Sequence, residues 1–223
     1  MAPTVEQARI VANLKSAAAL EVSIPIVSNE TAVAGFLTPV THQMATDAAI
    51  VSALFRWRRE HMEAFLTVFV PTLEKTRGYL KDFSLSDPAR LLFLITDLQR
   101  RYVGHIGLCN IGADGAEIDN VIRGEPIDVP NFMVFAHIAL LGWAFTELDI
   151  PIAYLNVLEH NKRAINTYQK VGLIEISRTP LVRQDLHGGY RLVPAADSEE
   201  QATGLMLVRM ELRRDSFYHW PWR

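Results

Sequence analysis

The stretch of residues 152–173, IAYLNVLEHNKRAINTYQKVGL, decides how this chain folds. It opens with an apolar run, residues 152–158, that reads as a strand ending in polar residues. A short helix follows over residues 161–171. Asn161 is a residue type whose side-chain oxygen accepts an N–H that the first helical turn leaves without a partner, and Gly172 suits the left-handed residue that closes a helix. Ala164, Ile165, Tyr168 and Val171 fall on one stripe. The spacing Asn161-x-x-Ala164-x-x-x-Tyr168-x-x-x-Gly172 therefore sets an amide at a helix start and a phenol about two turns along. A capping asparagine and a core tyrosine are each ordinary. Their combination behind a strand, with Gly172-Leu173 as the exit, points to a site.

Working outward, residues 130–148 form a helix that is apolar nearly all round, with Phe132, Ala136, Ala139, Leu140 and Trp143 at three-to-four spacing, so it is expected buried against a sheet. Upstream, residues 91–96 and 102–111 read as a hairpin across the polar residues 97–101, Asp114-Gly115 as a turn, and residues 116–122 as the next strand. Residues 36–41 read as a strand, 43–69 as a helix, and Pro71 as the first turn of a helix running to about residue 83. Downstream, residues 173–178 and 204–212 read as a closing strand pair, and the segment between them, with Gly188-Gly189 and residues 197–200, as a long loop. Residues 1–35, a helix over 4–18 and a strand over 20–27 followed by turn residues 29–35, read as an extension packed on a main domain of residues 36–223. The order predicts an α/β fold, a mixed central sheet with helices on both faces.

Composition narrows the function classes. Hydrophobic residues make up 49% of the 223, enough for a sizeable core. A formal net charge of -3 gives no grip on nucleic acid or an anionic membrane surface. No apolar run of about 18 residues suggests a membrane span, and residues 1–15 lack a basic-then-apolar signal pattern, so a cytoplasmic protein is expected. Cys109 is the only cysteine and reads as a small buried strand residue, which leaves no internal disulfide. His42, His61, His160, His187 and His219 show no metal-ligand spacing, His137 reads as a structural residue of the buried helix, and no metal site is expected.

The run AEIDNVIRG, residues 116–124, carries the candidate base. In a regular strand Glu117, Asp119 and Val121 share one face, and Ile118, Asn120 and Ile122 share the other. Two acids two residues apart on one face could raise each other's pKa, which suits a general base, although an exposed or ion-paired carboxylate reads equally well.

The 152–173 stretch, together with the element order over residues 36–213, closely resembles the GCN5-related N-acetyltransferases, the GNAT superfamily. That resemblance implies acetyl-CoA as acyl donor and a small-molecule primary amine as acceptor. Glu117 matches the family's common position for the base, and Asp119 is the second candidate, for the base or for binding the ammonium. By the same resemblance Asn161, with Ala164 on the next turn, contacts the pantetheine or phosphate arm, Tyr168 donates to the sulfur, and Asn156 bonds the thioester carbonyl or a pantetheine amide. Val121, Ile122 and Arg123 would lie along the donor.

One departure is plain. The spaced glycines that wrap the diphosphate in the family are missing after Arg123-Gly124, and Asp128 stands where it would repel that group. A helix starting near Pro130 can still offer the N–H groups of Asn131, Phe132 and Met133. The run 119–125, DNVIRGE, followed by Pro130-x-x-Met133, is similar to acyltransferases that modify amino sugars, including nucleotide-linked ones. On the acceptor side the candidates are His105, on an apolar strand, and Arg56 and Arg59 of the basic cluster RWRREH at 56–61, a cluster that also reads as a solvated helix face. Protein N-termini, small polyamine-like amines, or a binding protein without catalysis are the alternatives. The aromatic tail, residues 217–223, would be covered by the body of the protein or by a second subunit in a homodimer.

Overall fold

The computed structural model describes residues 2–16, 22–28, 32–195 and 202–219. The end of the first expected helix, the start of the strand expected at 20, part of the turn at 29–35, the whole of residues 197–200 and the tail at 220–223 lie outside the described residues.

In chain order the elements are α1 (Val5–Lys15), β1 (Ile24–Val27), β2 (Val33–Pro39), α2 (Ala48–Glu60), β3 (Thr67–Phe69), α3 (Leu73–Gly78), β4 (Leu91–Asp97), β5 (Tyr102–Gly112), β6 (Gly115–Arg123), α4 (Phe132–Glu147), β7 (Ile152–Leu158), α5 (Lys162–Val171), β8 (Ile174–Leu186), β9 (Gly189–Pro194), β10 (Ala202–Arg213) and α6 (Arg214–Tyr218). The strands form one sheet in the order β1-β2-β4-β5-β6-β7-β10-β8-β9-β3. Its pairs are antiparallel except β6 with β7, whose connection runs through α4, as a parallel neighbour requires.

The core has two faces. On one, α1, α4 and α5 bury Val11, Leu140, Leu141, Ala144 and Val171 against Phe93, Ile106, Ile118 and Leu155. On the other, α2 buries Ile50, Val51, Leu54 and Trp57 against Leu92, Leu94 and Ile122. All seven residues of β4 are buried, because helices cover it on both sides. Within residues 1–35, Val11, Leu14 and Ile26 join the first core, and Gln7 Nε2 donates to Leu148 O at 2.9 Å. No helix among the described residues is long and apolar enough to cross a membrane.

Three expectations need correction. The helix expected over 43–69 is α2 alone, capped by Asp47, whose carboxylate accepts from the N–H groups of Ala49 and Ile50. Beyond a short turn at Met62–Ala64, the β-branched and aromatic residues of β3 pair with β9, so a distant strand supplies their backbone partners instead of a helix. Thr72, not a position before Pro71, caps the next helix: its hydroxyl accepts from Lys75 N at 3.1 Å, and α3 gives way to a π-helical turn at Tyr79–Ser84. The long loop expected between the closing strands holds the rest of β8 and all of β9. They form a hairpin turned at His187-Gly188, with Gly188 at φ 80° and Leu181 and Leu192 buried beneath it.

The fourth correction shapes the site. Between Asp119 and Ile122 β6 holds one residue more than its partner β5 does between Gly107 and His105, and Asn120 takes φ 51° there. The bulge rotates the strand, so Ile122 packs on the α2 face with Trp57 and Leu92, and Val121 packs with Ile118 on the α4 face. The regular alternation read from the sequence fails at Asn120.

Candidate active site

The parallel ladder between β6 and β7 is short. Ala116 pairs with Ala153 and Glu117 with Tyr154, and pairing ends there. Beyond that point the residues of both strands, Ile118–Arg123 and Leu155–Leu158, line a cleft of about 1740 Å³. Glu117 stands at its apex, the starts of α4 and α5 on one side, and α2, β3 and α3 on the other.

Glu117 is held by amides from the strands on either side. Asn110 Nδ2 donates to Oε2 and Asn156 Nδ2 to Oε1, each at 2.8 Å. Asn110 reaches it because a second bulge, on β5, sets this residue at φ 51°. Asp119 is differently placed. Arg90 Nη1 donates to its Oδ2 at 2.5 Å, and Asn120 donates to both oxygens, from its backbone N–H and its Nδ2 at 2.7 Å each. The expected pair of mutually perturbing acids is therefore two carboxylates in different company: one bridged by neutral amides, the other neutralised by an arginine.

His105 lies behind them, 5% exposed. Its Nδ1 is 2.6 Å from Asn120 O, and a carbonyl only accepts, so Nδ1 carries the proton and Nε2 is left as an acceptor. Burial pushes the imidazole down to about 4, which keeps it neutral at pH 7.

At the donor end, Asn161 Oδ1 accepts from Ala164 N at 3.2 Å, so its oxygen acts as the helix cap. Tyr168 is buried, with its ring edge-on to His137 at 5.4 Å. Burial, followed by the charge of Asp119, raises the phenol well above its usual value, so it stays protonated. Its hydroxyl makes no hydrogen bond among the described residues. His137 also lines the cleft; Nδ1–H donates to Met133 O at 2.6 Å, and Nε2 is buried without a partner.

The start of α4 differs in part from expectation. Phe132 N–H already donates to Val129 O at 3.2 Å, which withdraws one of the three expected donors. Asn131 takes φ 57°, a left-handed conformation that asparagine adopts more readily than most residues with a side chain. Its Oδ1 accepts from Lys170 Nζ at 2.9 Å. Arg123 and Arg163 face the same space. Desolvation and then the charge of Arg163 lower the Arg123 guanidinium, and neither arginine takes part in an ion pair among the described residues. Two like charges without a carboxylate, beside a helix start, suit a diphosphate. Asp128 lines the same region.

At the acceptor end, Arg56 and Arg59 do not line the cleft. Arg56 pairs with Glu125, which also accepts from Trp57 Nε1 at 2.9 Å, and Arg59 stacks on Phe55 at 5.3 Å; both border a separate shallow groove. Their neighbour Arg58 points inward instead, because the helical period turns it by about 200° from Arg56 and about 100° from Arg59. Gly124 makes this packing feasible: a Cβ there would lie 2.1 Å from the Trp57 ring. Tyr79 accepts from Asn120 Nδ2 at 2.8 Å, and burial pushes its phenol up to about 12.

The structure thus gathers Glu117, Asp119, Val121, Ile122, Arg123, Asn131, Phe132, Met133, Asn156, Asn161, Ala164, Tyr168 and His105 around one cleft. Asn110, Arg90, Tyr79 and Arg163, none of them expected from the sequence, also line the cleft, whereas Arg56 and Arg59 of the 56–59 cluster lie outside it. Only the Asn110 contact had a local signal, an asparagine shortly before the Asp114-Gly115 turn.

Residues 36–174 match the family described as "Acetyltransferase (GNAT) domain". No curated protein matches the chain significantly. Among solved structures, a probable acetyltransferase of the GNAT family from Chromobacterium violaceum ATCC 12472 superposes with a TM-score of 0.63 at 16% identity, covering 89% of each chain. Apo FdhC, described as a nucleotide-linked sugar GNAT, gives 0.61 at 10% identity over 89% of this chain and 94% of the other. A spermidine N-acetyltransferase from Vibrio cholerae in complex with CoA and spermine gives 0.55 at 18% identity over 82% and 98%. At such identities the likeness is one of fold.

Proposed function

The chain belongs to the GNAT acetyltransferase family, whose acyl donor is acetyl-CoA, and from that premise we propose that it acetylates a primary amine bound against Glu117, the amine being that of an amino sugar or nucleotide-linked amino sugar. The observation that carries this reading is the parting of β6 and β7 directly after Glu117. It leaves an extended strand edge on the donor side and a carboxylate at the apex, so one cleft can admit a long thioester from one end and an amine from the other.

Acetyl-CoA supplies an acyl carbon activated by a thiol leaving group. Arg123, Arg163 and the first turn of α4 would hold its phosphates, and the strand edge over residues 121–123 would lie along its pantetheine arm. Glu117 receives a proton from the incoming ammonium, directly or through water, because an amine attacks only with a free lone pair. Asn110 and Asn156 hold that carboxylate in one orientation from two strands. Tyr168, kept protonated by burial, holds the proton that the departing sulfur needs. Asp119 fits positioning better than proton transfer, because Arg90 and Asn120 engage both its oxygens. Much of the acceleration would come from holding amine and thioester together.

Calorimetric titration with acetyl-CoA tests the donor half, and no detectable binding at high micromolar ligand sinks the proposal. Thiol release is then followed against amino sugars, nucleotide amino sugars, polyamines and peptides. Turnover confined to peptide N-termini or polyamines replaces the acceptor, and binding without turnover on any amine leaves a non-catalytic GNAT fold.

A further inference from the structure

The acceptor end of the cleft has an excess of positive charge that the transfer chemistry does not use. Arg58 faces it from α2. Its guanidinium lies 3.4 Å over the Phe65 ring, and Nη2 donates to Thr67 O at 2.9 Å, yet among the described residues no carboxylate lies within ion-pair distance and the buried Nε has no partner. Desolvation lowers it to about 10, a cost that a neighbouring anion would relieve. Lys75, whose Nζ donates to Val70 O, and Arg191, exposed on β9, line the same wall without a carboxylate partner among the described residues. Of the four carboxylates that line the cleft among the described residues, Asp119 belongs to Arg90, Glu117 sits at the apex and Asp128 at the donor end, which leaves Glu63.

We propose that Arg58, Lys75 and Arg191 form an anion subsite, so that the amine accepted by this protein also carries a phosphate or carboxylate. The ammonium faces Glu117 while the anion meets the Arg58 wall, whose planar guanidinium suits either group. A polyamine, with several ammonium groups and no anion, meets three cations and one free acid there. This inference rests on the acetyl-transfer reading and adds to it the chemical class of the acceptor and the residues that recognise it.

The test is steady-state thiol release with glucosamine phosphate, muramic acid, glucosamine and spermidine. The two anionic amines are expected to exceed glucosamine about 10-fold or more in kcat/KM, with spermidine lowest. Which of the two leads identifies phosphate or carboxylate as the anion. Arg58→Gln should raise KM for the anionic acceptor about 10-fold more than for glucosamine, and Arg191→Gln, on an exposed strand position that bears little on folding, should act in the same direction by less. Preference for glucosamine or spermidine, or equal losses on all acceptors in both variants, overturns the subsite while acetyl transfer stands. Acetyl-CoA binding without turnover on any of the four overturns the subsite, and the transferase reading falls with it only when nucleotide amino sugars and peptides are equally inert.

Discussion

At the donor end of the cleft, Asn161 caps Ala164 three residues away, Tyr168 follows one turn later, and Asn131 opens the helix next to it. At the acceptor end, Arg90 reaches Asp119 across 29 residues, Glu125 reaches Trp57 and Arg56 across 68 and 69, and β3 reaches β9 across more than a hundred. The cap and the helix stripe of the first end are set by near neighbours in the chain, with Lys170 on Asn131 and Arg163 beside Arg123 its longer-range additions, whereas the second end rests on long-range packing throughout. A local arrangement persists as long as its helix persists, whereas a packed one depends on every partner. Recognition of a common donor is therefore separable from selection of a particular acceptor.

The largest break in this comparison is at the apex, which both ends share. Glu117→Gln should lower kcat about 100-fold to 10,000-fold, the range of general base catalysis, with acetyl-CoA affinity by calorimetry unchanged. Activity at the wild-type level in that variant would remove Glu117 from the reaction. Tyr168→Phe should cost about 10-fold to 100-fold in kcat and spare the KM for the amine, since it removes only a donor at the sulfur. Equal loss with a good thiol leaving group, such as an acetyl thioester of low thiol pKa, would contradict that role.

Gly124→Ala separates the ends directly. Its Cβ would lie 2.1 Å from Trp57, so α2 must shift, and with it Arg58. Thermal unfolding should show a loss of about 1–3 kcal/mol, and the amine KM should rise while acetyl-CoA binding holds. If donor binding falls as much as acceptor binding, the two ends are not independent. Arg163→Gln gives the smallest and opposite effect, a rise of about threefold to tenfold in the acetyl-CoA KM that shrinks as salt increases, with the amine KM unmoved.

Acid pH acts on both ends together. His105 and His137 are held near 4 by burial, below the 6.5 of an unfolded histidine. Below 6.5 the unfolded chain binds protons that the folded one refuses, so the stability these groups contribute is complete above about 6.5 and falls as pH drops toward 4. Urea unfolding at stepped pH should show this decline, and His105→Gln should flatten part of it.

Much of the donor end was legible because its signals are local. The N-cap spacing, Gly172 and the stripe through Tyr168 each bear on residues within a few positions, and a helix repeats every few positions too. Even there one inference failed: Phe132 N–H is taken by Val129 O, a turn detail that no periodicity reports. The acceptor end was less legible. Arg56, Arg58 and Arg59 look alike as a cluster, and only the packing of Trp57 on Gly124 says which of them turns inward. β3 read as the end of a helix because its pairing partner, β9, lies over a hundred residues away.

What the sequence by itself determined was the α/β order of elements, the strand–helix unit over 152–173 and the position of Glu117 on the strand that precedes the crossover. Those follow from short-range periodicity and capping, which any window of the chain contains. What only the tertiary structure decided was the register beyond Glu117. One extra residue at Asn120 exchanges the faces of Val121 and Ile122 relative to a regular strand, so Val121 joins Ile118 and Ile122 joins Trp57, along the wall of the cleft that opens where the ladder with β7 stops at Glu117. That choice depends on how two strands pair, and a single strand read alone carries no trace of its partner's count.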